Sequence, residues 1–440
     1  MIPAGMFVNR EFEQGFLNEK YGSDRAELII IYGRRRVGKT RLLQEFVRDK
    51  KHLYLMADVS ENVLDSFSRV ISKKYGFVRF GNWDDFFEFL DSIARERVVV
   101  VIDEFQYLYK VDKAFPTILQ RWWETLKNSK IMLILCGSII STIYKISLGY
   151  GSALYGRKTA ELEVKPLKFA EIRNFFPRYS PKELVETYAI LGGVPRYLEE
   201  FDDSIDVYSN IKNKILNRTS FLYNEPLNLL FEEFKDYSRY FGILNAIAGG
   251  ATTFSEISSK SRVPQNKLSK YLMTLERIGI VERIHPITEK RAKRTLYRLS
   301  DNFYRFWFRY VYPNRSFLEI GEVDPVLEEI KSDFNAFVGL TFEDIVIEML
   351  SKEYKAGRWW YKDVEIDAVG IRKDEVVFFE VKWKDLGYRE VLKILEKLKE
   401  KSEKVKLGGV RKYGIVARKI RGKKKLEGYL VYDLDDLIRG

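Results

Sequence analysis

A glycine-rich loop between an apolar run and an amphipathic segment constrains the fold of this chain more than any other feature. Residues 28–32 (LIIIY) suit a strand that is buried on both faces. The loop that follows has the spacing Gly33-x4-Gly38-Lys39-Thr40, in which two glycines let the backbone approach a polyphosphate closely. The segment after the loop predicts a helix whose positive end faces the phosphates. This order of strand, loop and helix predicts an α/β fold with a parallel sheet.

The residue types of this loop indicate the role of each position. Lys39 is expected to reach the β- and γ-phosphate oxygens, and Thr40 is expected to ligate Mg²⁺. A chance glycine turn is the alternative, but it does not explain the strand before the loop or the helix after it. We therefore predict a nucleotide pocket lined by Gly33, Arg34, Arg35, Arg36, Val37, Gly38, Lys39, Thr40 and Arg41.

Two further apolar runs end in polar residues. Residues 98–102 (VVVVI) lead into Asp103 and Glu104, and residues 131–137 lead into Ser138. A buried parallel strand can carry acids only at its carboxyl end, where α/β sheets bind ligands. Asp103 is predicted to hold Mg²⁺ through its water shell, and Glu104 to orient and deprotonate the attacking water. Ser138 is predicted to sense the γ-phosphate, with a helix cap or turn residue as the alternative.

The composition excludes several classes of protein. Of the 440 residues one is a cysteine, Cys136, and two are histidines, His52 and His285. Disulfides within the chain and zinc sites built from thiols or paired histidines are therefore not expected. No run of about 18 apolar residues occurs, and the first residues lack a signal-peptide core. We expect a cytoplasmic protein with no membrane partner.

The net charge of +12 is concentrated in two segments of the chain. Residues 381–425 hold 17 basic and five acidic residues, and residues 260–298 hold 11 basic and three acidic residues. Concentrated positive charge in separate regions is expected of a protein that binds phosphate backbones. Solvated helix faces are the alternative, but they explain the run at 290–294 poorly because no acid is interleaved in it. DNA is therefore a predicted partner.

The order of the predicted elements divides the chain into four regions. Residues 1–165 alternate between strands and helices, and residues 166–230 are helical. Residues 231–312 contain three short helices and a basic hairpin, and residues 313–440 form a second α/β region. We therefore predict four domains, with a sheet-containing domain at each end of the chain.

Five motifs together resemble the archaeal ATPase family, P-loop proteins near the STAND and origin-recognition ATPases. The resemblance implies that ATP is the nucleotide, that residues 166–230 form a helical lid, and that Pro195 lies near the base. It also implies that Arg157 completes a nucleotide site in cis or across a subunit interface, so a homo-oligomer or a partner protein is expected. A surface or phosphate-contacting arginine is the alternative for Arg157. The motifs are FVNRE at 7–11, GRRRVGKT at 33–40, IDEFQYL at 102–108, LYGRKTAELEVKPL at 154–167 and LGGVPRYL at 191–198.

The third region resembles a winged helix-turn-helix formed by residues 255–261, 264–278 and the hairpin 281–299. Pro264 suits a first helical turn, and leucines recur after it at helical spacing. A helix of this kind can contact phosphates and base edges, although a lid or protein-docking role is the alternative. Its predicted exposed set is Gln265, Asn266, Ser269, Lys270 and Thr274. The predicted wing cations are Lys290, Arg291, Lys293 and Arg294.

Residues 360–384 predict a β-hairpin whose two-residue loop is Lys373-Asp374. This loop places Asp367 opposite Glu380 and Glu365 opposite Lys382, all on one face. Two like charges directly opposite each other destabilise a sheet unless something neutralises them. A divalent metal bound by Asp367 and Glu380, with Lys382 beside it, would do so. The other predicted face is apolar and consists of Val364, Ile366, Ala368, Val377, Phe379 and Val381.

This arrangement of acids and lysine resembles the PD-(D/E)XK nuclease superfamily. The resemblance implies a restriction-endonuclease-like fold, a further acid, Glu343, from a helix over residues 335–354, and metal-assisted hydrolysis of phosphodiesters. Lys382 would then position the water or stabilise charge. The sequence has Ile366 where the name of the superfamily has proline. A solvated, salt-bridged strand face is the alternative.

These predictions combine into an α/β protein with a P-loop domain, a helical lid, a winged helix-turn-helix and a nuclease-like C-terminal domain. The predicted activity is Mg²⁺-dependent ATP hydrolysis that acts on DNA. A nucleotide-dependent switch, whose C-terminal domain only binds a partner, is one alternative. A transcription regulator that reads DNA through its winged helix is the other.

Overall fold

A computed structural model describes most of the chain, and none of the helices that it describes is long and apolar enough to cross a membrane. The chain divides into two compact units. The N-terminal unit comprises residues 2–166 and 232–235, and the C-terminal unit comprises residues 167–231 and 236–440. The predicted division into four domains stays a prediction. The described residues are 9–60, 62–234, 236–289, 295–423 and 426–439.

The N-terminal unit alternates between strands and helices. Its strands are β1 (Glu27–Tyr32), β2 (His52–Met56), β3 (Val98–Asp103), β4 (Ile131–Gly137) and β5 (Ala160–Glu163). Its helices are α1 (Glu11–Tyr21), α2 (Lys39–Val47), α3 (Val63–Tyr75), α4 (Trp83–Ile93), α5 (Gln106–Val111), α6 (Phe115–Leu126) and α7 (Ile140–Ile143), followed by a π-helix at Tyr144–Leu148.

The five strands form one parallel sheet in the order β2-β3-β4-β1-β5, which confirms the predicted parallel α/β fold. Successive residues of β1 are buried in two separate cores, with Leu28 and Ile30 on one face and Ile29 and Ile31 on the other. The apolar runs are continuous because both faces are covered. Strand β4 lies between β1 and β3, so the carboxyl ends of all three strands meet at one edge of the sheet.

The C-terminal unit begins with helices and a short hairpin. Its first helices are a 3₁₀-helix (Phe169–Asn174), α8 (Pro181–Leu191), α9 (Pro195–Leu198), α10 (Val207–Asn210), a π-helix (Ile211–Leu216) and α11 (Glu225–Glu233), whose last two residues belong to the N-terminal unit. Then follow α12 (Tyr237–Ala248), α13 (Phe254–Ser261), α14 (Gln265–Arg277) and the antiparallel pair β6 (Val281–Ile284) and β7 (Leu296–Leu299).

A second sheet occupies the end of the chain. The connecting helices are α15 (Asn302–Phe306), a π-helix (Trp307–Val311), α16 (Arg315–Glu319) and the 28-residue α17 (Val323–Leu350). The sheet has the order β12-β11-β10-β9-β8, with β8, β9 and β10 antiparallel and β10, β11 and β12 parallel. Its elements are β8 (Lys355–Tyr361), β9 (Val364–Arg372), β10 (Glu375–Gly387), α18 (Tyr388–Ser402), β11 (Val410–Arg421), β12 (Tyr429–Asp433) and α19 (Leu434–Arg439).

The predicted register of the β9–β10 hairpin is confirmed near its loop. Glu375 pairs with Arg372, and the ladder runs to the pair of Phe379 with Ala368. Among the described residues this ladder ends there, so it includes neither the predicted pair of Asp367 with Glu380 nor that of Glu365 with Lys382. The predicted helix over 335–354 is also longer at its start and shorter at its end, because α17 runs over Val323–Leu350.

The predicted division of β9 into two faces is wrong for Val364 and Ile366, which pack with the core of the opposite face. Between Gly357 and Trp359 the pairing of β8 advances two residues while β9 advances three, from Val369 to Ile366. This extra residue is a β-bulge, which reverses the alternation of side chains beyond it. Ile366 therefore packs in the same core as Val369 and Phe378. Glu365 is exposed and pairs with Trp360 instead of joining the acid-bearing face.

Candidate nucleotide site and C-terminal charge cluster

The loop after β1 has a backbone that requires glycine at two positions. Gly33 has a φ of 154°, and a Cβ built there would lie 2.3 Å from the backbone oxygen of Val164. Gly38 has a φ of 92° and immediately precedes α2. Both conformations are poorly accessible to residues with a side chain. The loop therefore brings the backbone N–H groups at the start of α2 to a position where they can bind an anion.

Lys39 lies inside this loop and is almost completely buried. Its Nζ donates to the backbone oxygens of Gly33, at 2.8 Å, and of Arg34, at 2.9 Å. Burial lowers the pKa of the Lys39 ammonium, while the nearby Cys136 and Glu104 act in the opposite direction. The ammonium group is therefore held at the centre of the loop, as the predicted phosphate contact requires.

Thr40 and Asp103 meet as the predicted metal pair. Thr40 Oγ1 donates to Asp103 Oδ2 at 2.8 Å, and the Asp103 carboxylate is 1% exposed. Tyr54 of β2 donates its phenol to the same oxygen at 2.6 Å. Burial, reinforced by the Asp103 carboxylate, raises the pKa of Tyr54. Hydroxyl and carboxylate oxygens are the donors that Mg²⁺ prefers, so Thr40 and Asp103 fit this ion.

Glu104 and Ser138 are also brought together. Ser138 Oγ donates to the two carboxylate oxygens of Glu104 at 2.7 and 3.0 Å. Gln106, at the start of α5, donates its amide to Glu104 Oε2. Helix α7 has no side-chain cap, so the hydroxyl of Ser138 faces the acid and does not cap the following helix. The sequence did not single out Tyr54, which the pairing of β2 with β3 places beside Asp103. It also did not single out Gln106, although this residue is only two positions from Glu104 in the chain.

The arginines of the nucleotide unit have diverse partners. Arg35 donates to Tyr107 Oη at 2.8 Å and lies 3.1 Å from Glu232, which belongs to the same unit. Arg157 lies 3.8 Å from Glu124, and its predicted role in completing a nucleotide site stays a prediction. Pro195 is the first residue of α9 in the C-terminal unit, and its predicted place near the base also stays a prediction.

Arg10 is a further residue that holds the phosphate loop. Its guanidinium donates to the backbone oxygen of Val37 at 2.8 Å and to Glu13 at 2.8 Å, and its side chain is 8% exposed. The motif at 7–11 contains this arginine, but its contact with a loop 27 residues later is visible only in the tertiary structure.

The predicted acids of the C-terminal unit converge on two lysines. Lys382 Nζ lies 2.9 Å from Asp367 Oδ2 and 2.7 Å from Glu380 Oε2. Lys401 of α18 lies 2.5 Å from Glu380 Oε1, and the backbone N–H of Val381 donates to Asp367 at 2.8 Å. Although burial lowers the pKa of Lys382, the two carboxylates raise it above its ordinary value. Lysines neutralise the acids in this arrangement, where the sequence predicted a metal.

Glu343 has a different partner from the one predicted. It lies 3.0 Å from the buried Arg358, which also pairs with Asp344 at 2.8 Å. Burial raises the pKa of Glu343 to about 7, against the effect of Arg358. Among the described residues, no group of three acids, histidines or cysteines is placed to hold a metal. Asp367 and Glu380 contact lysines as arranged, and the metal site predicted at these two residues stays a prediction.

The basic hairpin region uses part of its charge internally. Arg298 of β7 lies 2.6 Å from Glu282 and 2.7 Å from Asp344 of α17. Arg283 lies 2.6 Å from Glu276. Along α14 the predicted core leucines at 268, 272 and 275 are buried. The predicted polar set is exposed except for Thr274, which is half-buried. The predicted wing cations Lys290, Arg291, Lys293 and Arg294 lie outside the described residues.

Comparisons with known proteins agree with the geometry of the N-terminal unit. Residues 7–201 match a family described as an ATPase domain predominantly from Archaea. Residues 307–394 match a family described as Archaea bacterial proteins of unknown function. An uncharacterized protein of Methanocaldococcus jannaschii is 39% identical over 98% of this chain and all of its own length. An uncharacterized ATP-binding protein of the same organism is 56% identical over 10% of this chain and 78% of its own.

A solved structure shares the fold. The Walker-type ATPase PABY2304 of Pyrococcus abyssi superposes with a TM-score of 0.52 and 20% identity. The superposition covers 69% of this chain and 96% of that chain.

Proposed function

The chain belongs to an archaeal family of P-loop ATPases, and we propose that its N-terminal unit binds ATP with Mg²⁺ and hydrolyses it with Glu104 as the base. One observation carries this proposal. Lys39, the Thr40–Asp103 pair and the Glu104–Ser138 pair meet where β1, β4 and β3 end side by side. Each is a group that phosphoryl transfer uses to bind phosphates, to hold the metal or to orient water.

The chain's own residues divide the work of hydrolysis. On binding, Lys39 exchanges the carbonyl oxygens of Gly33 and Arg34 for phosphate oxygens, and the amides at the start of α2 contact the same phosphates. Thr40 and Asp103 would hold Mg²⁺, which neutralises charge that develops on the phosphates. Glu104 accepts the proton of the attacking water, and Ser138 keeps its carboxylate oriented.

The test is phosphate release by the purified chain and by a Glu104→Gln variant. The variant should bind ATP as tightly as the wild type and release phosphate at least about 100-fold more slowly, because it lacks the base. A Lys39→Ala variant should lose nucleotide binding. If the wild type releases no phosphate with or without DNA, the hydrolase proposal fails and the nucleotide-dependent switch is favoured.

We further propose that the ATPase acts on DNA. The support is the exposed polar face of α14, which includes Lys270, and the basic residues left exposed on α18 and after it, such as Lys393 and Lys404. A Lys270→Ala variant should bind random duplexes more weakly than the wild type. The slope of its log affinity against log salt concentration should be smaller by about one, because one phosphate contact is lost. Lys331→Ala on α17, where the lysine is paired with Glu328, is the control. Preference for one duplex sequence would favour the transcription regulator instead.

A second candidate function is metal-dependent cleavage of nucleic acid by the C-terminal unit. The convergence of Asp367, Glu380 and Lys382 favours it, whereas the lysine contacts oppose a resident metal. The test is cutting of single-stranded, duplex and branched DNA with Mg²⁺ or Mn²⁺. Loss of cutting in Asp367→Ala and in Lys382→Ala would support the site. Absence of cutting in the wild type would leave the C-terminal unit as a binding platform.

A further inference from the structure

Gln106 is a buried amide that the proposed reaction does not yet use. It is the first residue of α5 and its side chain is fully buried. Its Nε2 donates to Glu104 Oε2, whereas its Oε1 has no hydrogen-bond partner among the described residues. That oxygen lies against Gly137 at the end of β4, where a Cβ would come within 2.2 Å of it. The amide is thus enclosed between the ends of two strands.

The orientation of this amide follows from the chemistry of its neighbour. An ionised carboxylate only accepts hydrogen bonds, so the NH₂ group of Gln106 must face Glu104 and the carbonyl must face away. A buried carbonyl without a hydrogen-bond partner destabilises the folded chain. An apolar side chain of similar size would remove that penalty. The hydrogen bond that Gln106 donates to Glu104 offsets this loss of stability with a functional advantage.

Glu104 needs to be held in place because its backbone is unusual. Its φ is 54°, a left-handed conformation that residues with a side chain rarely adopt. Ser138 from the end of β4 and Gln106 from the start of α5 fix the carboxylate from two different elements. A base must lie within hydrogen-bond reach of its water, and a displacement of about 1 Å can lower the rate about 100-fold.

We propose that Gln106 is a positioning residue, which orients the Glu104 carboxylate for proton abstraction at a penalty in stability. The inference rests on the proposed ATP hydrolysis and adds a residue to it. The proposal distinguishes Gln106 from an ordinary core residue, because an ordinary core residue stabilises the folded chain whereas the amide of Gln106 destabilises it.

The test is a Gln106→Met variant, which keeps the side-chain length and removes the amide. Its thermal midpoint should equal or exceed that of the wild type. The affinity for ATP and the KM should stay unchanged, while kcat should fall about 10- to 100-fold. In a Glu104→Gln background the same substitution should leave the residual rate unchanged, because the group that Gln106 orients is no longer a base.

Asn210→Leu is the matched stability control. Asn210 is also a fully buried amide, but its Nδ2 donates to Tyr179 Oη and to the Asp202 oxygen, and its Oδ1 accepts from the Asp202 N–H. Its removal should lower the thermal midpoint. An unchanged kcat in Gln106→Met, or a fall in both kcat and thermal midpoint, would overturn the positioning role while the ATPase stands. A wild type that hydrolyses no ATP would overturn the ATPase and the positioning role with it.

Discussion

The residues of the nucleotide site differ in how far their roles could be predicted from the sequence. Lys39, Thr40 and Glu104 were predicted because their spacing from the two strands is itself the signal. Tyr54 was not predicted, because its contact with Asp103 depends on β2 pairing with β3. A strand neighbour is a tertiary property, and one sequence does not specify it.

Replacing Gly33 with alanine should abolish nucleotide binding. The new Cβ would lie 2.3 Å from the Val164 oxygen, so the loop would have to shift away from its present path. We expect a loss of stability of about 1–3 kcal/mol and no measurable ATP binding, checked by thermal unfolding and nucleotide titration. Gly15→Ala on α1, with nothing within 4 Å of the new atom, should be neutral or stabilising. Normal binding by Gly33→Ala would contradict the loop geometry.

Replacing Tyr54 with phenylalanine should lower the affinity of the nucleotide site for Mg²⁺. The Tyr54 hydroxyl donates to the Asp103 oxygen that Thr40 also contacts, and its loss frees the carboxylate to rotate. Loss of such an outer contact typically lowers metal affinity about 10-fold. The measurement is ATP affinity and hydrolysis over a Mg²⁺ titration, with Tyr75→Phe on α3 as the control. An unchanged Mg²⁺ midpoint would show that Tyr54 only packs there.

At the scale of elements, the hairpin of β9 and β10 shows both the strength and the limit of pattern reasoning. The two-residue loop at Lys373-Asp374 set the register, and the ladder from Arg372–Glu375 to Ala368–Phe379 follows it. The bulge opposite β8 then moved Ile366 to the other face. Alternation predicts the face of each side chain only while paired strands have no β-bulge. Here the bulge forms against β8, a strand that is not part of the hairpin.

The junction of α17 and β8 should make stability depend on pH. Burial raises the pKa of Glu343 from an ordinary value of 4.5 to about 7, against Arg358 and with help from Asp367 and Asp344. Between these pH values the folded chain binds more protons than the unfolded chain, so the free energy of unfolding falls as pH rises from about 4.5 to 7. Above pH 7 this contribution is constant.

A Glu343→Gln variant should show a shallower loss of stability over this pH range. Thermal midpoints of wild type and variant at intervals from pH 4.5 to 8 give the two slopes. Glu328→Gln, at an exposed position of α17, is the control and should keep the wild-type slope. Equal slopes in Glu343→Gln and the wild type would show that Glu343 does not titrate there.

At the scale of the whole molecule, some of the basic residues form ion pairs within the protein and others are exposed on its surface. Arg298 and Arg358 pair with Asp344, and Lys382 and Lys401 pair with Glu380, so part of both basic segments holds the C-terminal unit together. Surplus positive charge remains on the surface of α18 and α14, and it is available to a phosphate backbone.

Duplex DNA should stimulate phosphate release in a salt-dependent manner. Because contacts with phosphates release counterions, raising the salt from about 50 to 200 mM should increase the duplex concentration for half-maximal stimulation about tenfold or more. The rate without DNA should change little over this range, and a Lys39→Ala variant should show no stimulation. If DNA does not stimulate phosphate release, or if the stimulation does not depend on salt, then DNA bound to the basic surface does not activate the ATPase.

The sequence by itself determined the parallel α/β fold, the phosphate loop, the acid pair after β3 and the register near the hairpin loop. These features could be predicted because their signals are local patterns of apolar runs, glycines and turn residues. The tertiary structure decided the partners: Tyr54 on Asp103, Lys401 on Glu380, and Arg358 on Glu343. A buried charge or amide requires some partner, but which residue reaches it depends on how distant elements pack.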